Sequence, residues 1–229
     1  MSCSVIFGAG GHAKSVISSI GDPLKTSALK IVLDYDYLSG EKKVFGHDVY
    51  DFEQLNLGEK FCFHIAIGEN YLREIIFQRF KSRFFNASPM DPIVHPSAVV
   101  SHSASLGPGS FIGPCAYVGP DANIGVGCVV NTSSVVEHDC KLDDFSFLAP
   151  KAVLAGKVVL GRRSYVGLGS VVMENTTIDE DVVVGCGSTV LSSFKSSVLV
   201  YGTPARIIRP RSKSDLIFKK TPTSLEPEK

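Results

Sequence analysis

The sequence predicts a two-part chain: an α/β domain over residues 1–90, then an all-β coil of short parallel strands over residues 93–209. Residues 210–229 are expected to form a loose tail. Three observations carry this. Aliphatic residues recur every six positions through the middle of the chain. A glycine-rich turn links a strand-like to a helix-like segment near the start. Pro89, Pro92 and Pro96 cluster where one pattern gives way to the other.

The six-residue period is the strongest signal. From Val94 to Val190, seventeen positions in steps of six are all Val, Ile or Leu. With about a one-in-four chance of an aliphatic at each position, such a run arises about once in 10¹⁰. Four residues after each aliphatic from Val94 to Val184 stands a small residue, as at Ala98, Ser110, Cys128 and Ser170, with only Val158 and Val182 larger. Gly follows the aliphatic at Gly107, Gly113, Gly119, Gly125, Gly161, Gly167 and Gly185. No helical face survives a period of six, so a helix is excluded. Each hexad is expected to make one strand and one corner. The aliphatic points into the axis, the small residue lets the corner close, and Gly supplies unusual backbone angles. Stacked coils then complete each other's strand hydrogen bonds.

The first ninety residues read differently. A strand is expected at 4–7, then Gly8-Ala9-Gly10-Gly11-His12-Ala13, a helix to about residue 20, and a strand at 30–33 ending before Asp34. A strand at 61–67 leads into Gly68-Glu69-Asn70 and a helix to about residue 82, with a short last strand at 84–86. This is half of a Rossmann-like fold. Its glycine turn permits close backbone approach and the helix N-terminus behind it can receive phosphate. Asp34 stands where an acid can hold a ribose hydroxyl. A nicotinamide enzyme is the competing reading of this turn.

Composition narrows the function classes. Lys plus Arg and Asp plus Glu are 23 each, so no charge excess points to nucleic acid or an anionic membrane. No run approaches the ~20 apolar residues of a membrane span, and no targeting segment precedes the first strand. The six cysteines form no CxxC pair. A cytoplasmic, reduced protein without a metal site is expected.

The hexads LGPGSF, IGPCAY, VGPDAN and IGVGCV resemble those of left-handed β-helix acyltransferases. Together with GAGGHAKSV, a strand ending in LDYD, and AIGENYLR, they resemble a narrower family. This comprises the bacterial sugar O- and N-acyltransferases, which include sialic acid O-acetyltransferases and nucleotide-linked amino-sugar N-acetyltransferases. The resemblance covers residues 3–209 and implies the left hand, an eighteen-residue coil and a homotrimer. It implies acetyl-CoA and a nucleotide-linked amino sugar, of the 4-amino-4,6-dideoxy type, as substrates for surface glycan assembly. The sugar nucleotide would be held by Gly10, Gly11, His12, Ala13, Lys14, Asp34, Tyr35, Gly68 and Asn70. Arg73 reads as a solvated helix residue.

Acyl transfer from a thioester to an amine needs a base and a stabiliser of the developing oxyanion. His138, in NTSSVVEHDCKLDDF, follows the aliphatic Val136 by two and should face out at a corner. The segment resembles the family's catalytic stretch, so His138 is expected as general base, with Asp139 fixing its tautomer. Asn131, one hexad earlier and expected on the same wall, would help orient the amine. The family often has a second histidine nine residues after the base; here that residue is Phe147, expected to pack on the pantetheine or a longer acyl chain. The resemblance places CoA against Ala155, Gly156, Gly167 and Leu168. No Cys or Ser beside His138 forms a nucleophile motif, so direct transfer is expected. The alternatives are O-acetylation of a sugar such as sialic acid, and a non-catalytic β-helix scaffold.

Overall fold

The computed structural model describes residues 3–20, 29–33, 43–52, 60–212 and 215–218. The chain divides into two units, Met1–Met90 with Leu216–Lys229, and Asp91–Asp215.

The first unit is a six-stranded sheet in the order β3-β4-β2-β1-β5-β6, with β1 at Cys3–Phe7, β2 at Leu29–Leu33, β3 at Lys43–Val44, β4 at His47–Asp51, β5 at Phe61–Ile65 and β6 at Ala87–Pro89. Every pairing is parallel except the β3–β4 hairpin. That hairpin lacks an alternating apolar pattern, and the sequence reading missed it. The last strand lies three residues beyond its expected place. Helix α1 spans Gly11–Ser19 and α2 spans Asn70–Arg83. Buried phenylalanines fill the core: Phe80 meets Phe7, Phe52 and Phe63 with ring centroids 5.0–5.4 Å apart. Such aromatic pairs each add about 0.5–1.5 kcal/mol beyond area burial.

The second unit is a parallel coil. Seventeen two-residue strands, β7 (Ile93–Val94) through β23 (Thr189–Val190), follow one another every six residues. They form three sheets in which each strand pairs with the one eighteen residues away, as Phe111 with Val129 and Tyr117 with Val135. The aliphatics and the small residues both point inward: Ile112, Ala116, Val118 and Ala122 are each at most 1 % exposed. The hairpin β24 (Val198–Gly202) and β25 (Ala205–Pro210) closes the array.

The corners depart from expectation. Positive φ recurs at every sixth residue from Gly109 to Gly187, and most of those residues are not glycine: Cys115, Asp121, Ser133, Asp139, Phe145 and Asn175 are among them. Each non-glycine corner costs on the order of 1 kcal/mol. In compensation its N–H is bonded to the preceding coil: to a carbonyl nineteen residues back in most, as in Ser133 to Pro114 and Lys157 to His138, and to a serine hydroxyl eighteen residues back at Cys115 and Asp121. The glycines that directly follow the aliphatic serve close approach instead: a Cβ on Gly107, Gly161 or Gly167 would lie 2.5–2.6 Å from the backbone of the next coil.

Candidate active site

His138 and Asp139 share a corner of the coil, after β14 (Val135–Val136). Asp139 takes the left-handed conformation at φ 60°, which Asp tolerates better than most residues. Its N–H donates to the Pro120 carbonyl, while the His138 carbonyl accepts from Lys157. The pair is therefore pinned by the coils on either side. The imidazole Nδ1–H donates to the Asp139 carboxylate at 2.8 Å, with both side chains about half exposed. In the neutral imidazole this bond assigns the proton to Nδ1 and makes Nε2 the acceptor. One coil on, the corner after β17 (Val153–Leu154) holds Ala155 and Gly156. A Cβ on Gly156 would lie 2.6 Å from both Cε1 and Nε2 of His138. Only glycine leaves room for the ring there, so Gly156 is a shaping residue of the base.

Cys140 lies close by but is spent on structure. Its thiol donates to the Ala155 carbonyl at 3.1 Å, and burial pushes its pKa up. A buried neutral thiol is a poor nucleophile, in keeping with direct transfer.

The other expected residues divide. Asn131 follows β13 (Val129–Val130) and so stands at the preceding corner, with its carboxamide oxygen accepting from the Thr132 N–H at 2.8 Å. Gly167 and Leu168 follow β19 (Tyr165–Val166) on that same edge, Leu168 being 49 % exposed. Asn131 and His138 therefore stand on successive corners, at the two ends of the face that β14 forms. One chain presents His138, Asp139, Ala155 and Gly156 on one edge, and Asn131, Gly167 and Leu168 on another. Phe147 is buried, its ring tilted against that of Tyr165 with centroids 5.4 Å apart.

In the first unit the glycine turn forms as expected. Gly8 has φ 122°, and a Cβ on it would lie 2.7 Å from the Ala66 carbonyl oxygen. The turns after β1 and β5 thus lie side by side, at the point where strand order diverges and where open α/β sheets bind ligands. Gly10 and Gly11 face open space. Lys14 is exposed, His12 partly buried and Ala13 fully buried. Asp34 and Tyr35 lie outside the described residues.

Arg73 overturns its expectation. It is 1 % exposed, and its guanidinium donates to the carbonyls of Ile67 and Gly68 at 3.0 Å and to the Asn70 side-chain oxygen at 2.9 Å. It shapes the turn from behind. Because carbonyl and N–H point oppositely across a trans peptide, the N–H groups of Gly68 and Glu69 are aimed away from it. Asn70, 1 % exposed, belongs to this buried support. Burial first, and the nearby Arg73 charge second, push the imidazoles of His12 and His64 from 6.5 down to about 3. An arginine on a helix named only by its spacing gave no sign of this inward turn.

The comparisons agree with these two halves. Residues 4–80 match the PglD N-terminal domain, and residues 94–197 match the GMPPB C-terminal domain. Among curated protein sequences, none matches the chain. Among solved structures, perosamine N-acetyltransferase from Caulobacter crescentus, crystallised as a histidine-to-asparagine mutant with CoA and GDP-perosamine, is 32 % identical. The match covers 90 % of this chain and 97 % of that one, with a TM-score of 0.79. The acetyltransferase domain of PglB from Neisseria gonorrhoeae, in complex with acetyl coenzyme A, is 29 % identical over 90 % and 98 % of the two chains, at 0.79. WeeI from Acinetobacter baumannii shares the fold at 22 % identity and 0.78, over 91 % and 100 %. With this much of a sugar N-acetyltransferase matched from end to end, the chain belongs to the bacterial sugar N-acetyltransferases that join a PglD-type N-terminal domain to a left-handed β-helix.

Proposed function

We propose that the protein transfers the acetyl group of acetyl-CoA to the amino group of a nucleotide-linked amino sugar, with His138 as general base. The observation that carries this reading is the His138–Asp139 hydrogen bond beside Gly156. In the neutral ring it turns Nε2 into the acceptor, on a fixed frame and a half-exposed side chain, with a glycine making room beside it.

In this reading the amine attacks the thioester carbonyl carbon and forms the C–N bond. Nε2 takes the proton that the nitrogen sheds, and Asp139 stabilises the resulting imidazolium through Nδ1–H. The C–S bond breaks, and the departing thiolate of CoA recovers the proton from His138. The protein is regenerated and no acyl-enzyme forms. The nucleotide part rests on the turns after β1 and β5, with Gly10, Gly11 and the N-terminal N–H groups of α1 facing the diphosphate. Ala155 and Gly156 occupy one edge of the coil and Gly167 and Leu168 another, which favours a CoA slot built between neighbouring copies. A homotrimer supplies such pairs of edges, and the cytoplasm supplies both substrates.

The test is release of CoA thiol from acetyl-CoA with UDP-, GDP- and dTDP-linked 4-amino-4,6-dideoxy sugars and with free sialic acid. Release is expected with an amino sugar and should fall by about 10²–10⁴-fold in His138→Ala without loss of the fold. Release with sialic acid alone would replace the amine by a hydroxyl acceptor. A folded trimer silent across the whole panel would overturn the reading in favour of a scaffold.

A further inference from the structure

The tail was expected to be loose, yet residues 215–218 are described and the last three belong to the N-terminal unit. Two contacts hold this segment to the turn after β5. The Ile217 N–H donates to Oε2 of Glu69 at 2.7 Å, and the Phe218 N–H to the same oxygen at 3.4 Å. The Phe218 ring lies against Gly68: a Cβ on that glycine would meet the ring edge at 3.5 Å, the distance of ordinary packing. Gly68 is the residue whose carbonyl Arg73 holds from behind. The turn is thus fixed on one side by a buried cation and covered on the other by an aromatic ring.

The strand order says which part of a ligand would meet that ring. Strands β2 and β5 flank β1 on opposite sides. An acid after β2 is the ribose position in such folds, and the diphosphate lies over the turn after β1. The remaining end of a nucleotide sugar, its hexose, then falls on the β5 side, where Phe218 stands 44 % exposed. An aromatic plate suits the apolar C–H face of a deoxyhexose, as it suits other flat apolar surfaces. We propose that Phe218 forms the sugar-side wall of the nucleotide-sugar site, and that Glu69 is the clasp that holds it there. This rests on the reading of the protein as a nucleotide-sugar enzyme.

A displaceable plug is the rival geometry, and Glu69 argues against it. With the segment in place Glu69 is only 7 % exposed, and its carboxylate accepts both N–H groups. A strap that left at each turnover would give up both bonds each time, whereas a permanent wall keeps them. The clasp uses backbone N–H groups, so it does not depend on which side chain stands at position 218.

The experiment uses the full chain, its Phe218→Ala and Phe218→Tyr variants, and deletion from Leu216 onward. Two quantities are read: KM for the GDP- or UDP-linked 4-amino-4,6-dideoxy sugar that the enzyme acetylates, and the inhibition constant of the matching free nucleoside diphosphate. In Phe218→Ala and in the deletion, KM for the sugar nucleotide should rise about tenfold. kcat and the inhibition constant should stay within twofold, and Phe218→Tyr should restore KM. A KM that does not rise, or that falls on deletion as for a plug, would overturn the wall. So would equal weakening of the nucleoside diphosphate, which would mean that the turn itself had collapsed. If wild type acetylates no sugar nucleotide, calorimetric binding of GDP-perosamine against GDP to the same proteins still decides about Phe218, so the two readings fail separately.

Discussion

The two units handle their reactive groups in opposite ways. In the coil, place in the hexad sets a residue's role: position one faces the core, position five packs beside it, and position four bends left-handed. His138 takes one of the outward places and stays half exposed on a backbone that is bonded to the coils on both sides. In the N-terminal unit no period assigns roles, and the charged group nearest the turn is buried. Arg73 and His64 are 1 % and 2 % exposed. The coil therefore displays its chemistry on a rigid support, whereas the α/β unit builds its binding turn around an internal charge. Sensitivity to mutation and to pH should follow that division.

The largest break in the comparison should come where the coil itself buries charge. At a corner Arg163 donates from Nε and Nη2 to the two oxygens of Asp181, at 2.7 and 2.6 Å, with both residues under 8 % exposed. Asp181→Ala leaves the guanidinium without its principal partner and should cost about 3–5 kcal/mol, read as a lowered midpoint in denaturant. If the coil shrugs this off, nearest-neighbour stacking alone sustains it.

Gly156→Ala comes next and separates support from chemistry. The added methyl would intrude on the His138 ring, so kcat should fall by about a hundredfold, or about 2.7 kcal/mol, while the melting temperature moves little. An unchanged rate would show that the ring can sit elsewhere and still work.

The pH dependence is the remaining difference, small near neutrality and growing as acid is added. His12 and His64 are held near 3 in the folded unit and return to 6.5 on unfolding. Between these values the unfolded chain binds more protons, so stability present above pH 6.5 is lost as pH falls. The slope is at most about 1.4 kcal/mol per pH unit for each histidine. Acid should therefore melt the α/β unit before the coil, and His64→Leu should roughly halve the slope. Coincident melting at pH 5 would merge what the structure separates.

Legibility in the sequence follows the same line. The coil was readable because the core requires an aliphatic at every sixth residue from Val94 to Val190, and His138 was readable because it sits at a fixed offset from Val136. The reason for glycine at 107, 161 and 167 was misread, since close approach between coils is a contact eighteen residues away and leaves no local trace. Asn131 and His138, seven residues apart, fall on successive corners, because a hexad step turns the chain by one face. Arg73 was hidden because a single charged residue on a helix carries no sign of which way it faces. Phe218 was hidden because its partner, Glu69, lies about 150 residues away, in a different compositional neighbourhood.

The uniform eighteen-residue turn has one more consequence. Strands in adjacent coils are stacked about 4.8 Å apart, so the array is at once a ruler and a dial. Inserting eighteen residues ahead of His138 would slide the imidazole one notch along the same edge, by that distance. Inserting six would leave its height nearly unchanged and swing it to another edge, a third of a revolution away. Reach and bearing of the base are thus written into the length of the chain before it, and each can be reset without altering a residue of the pair itself.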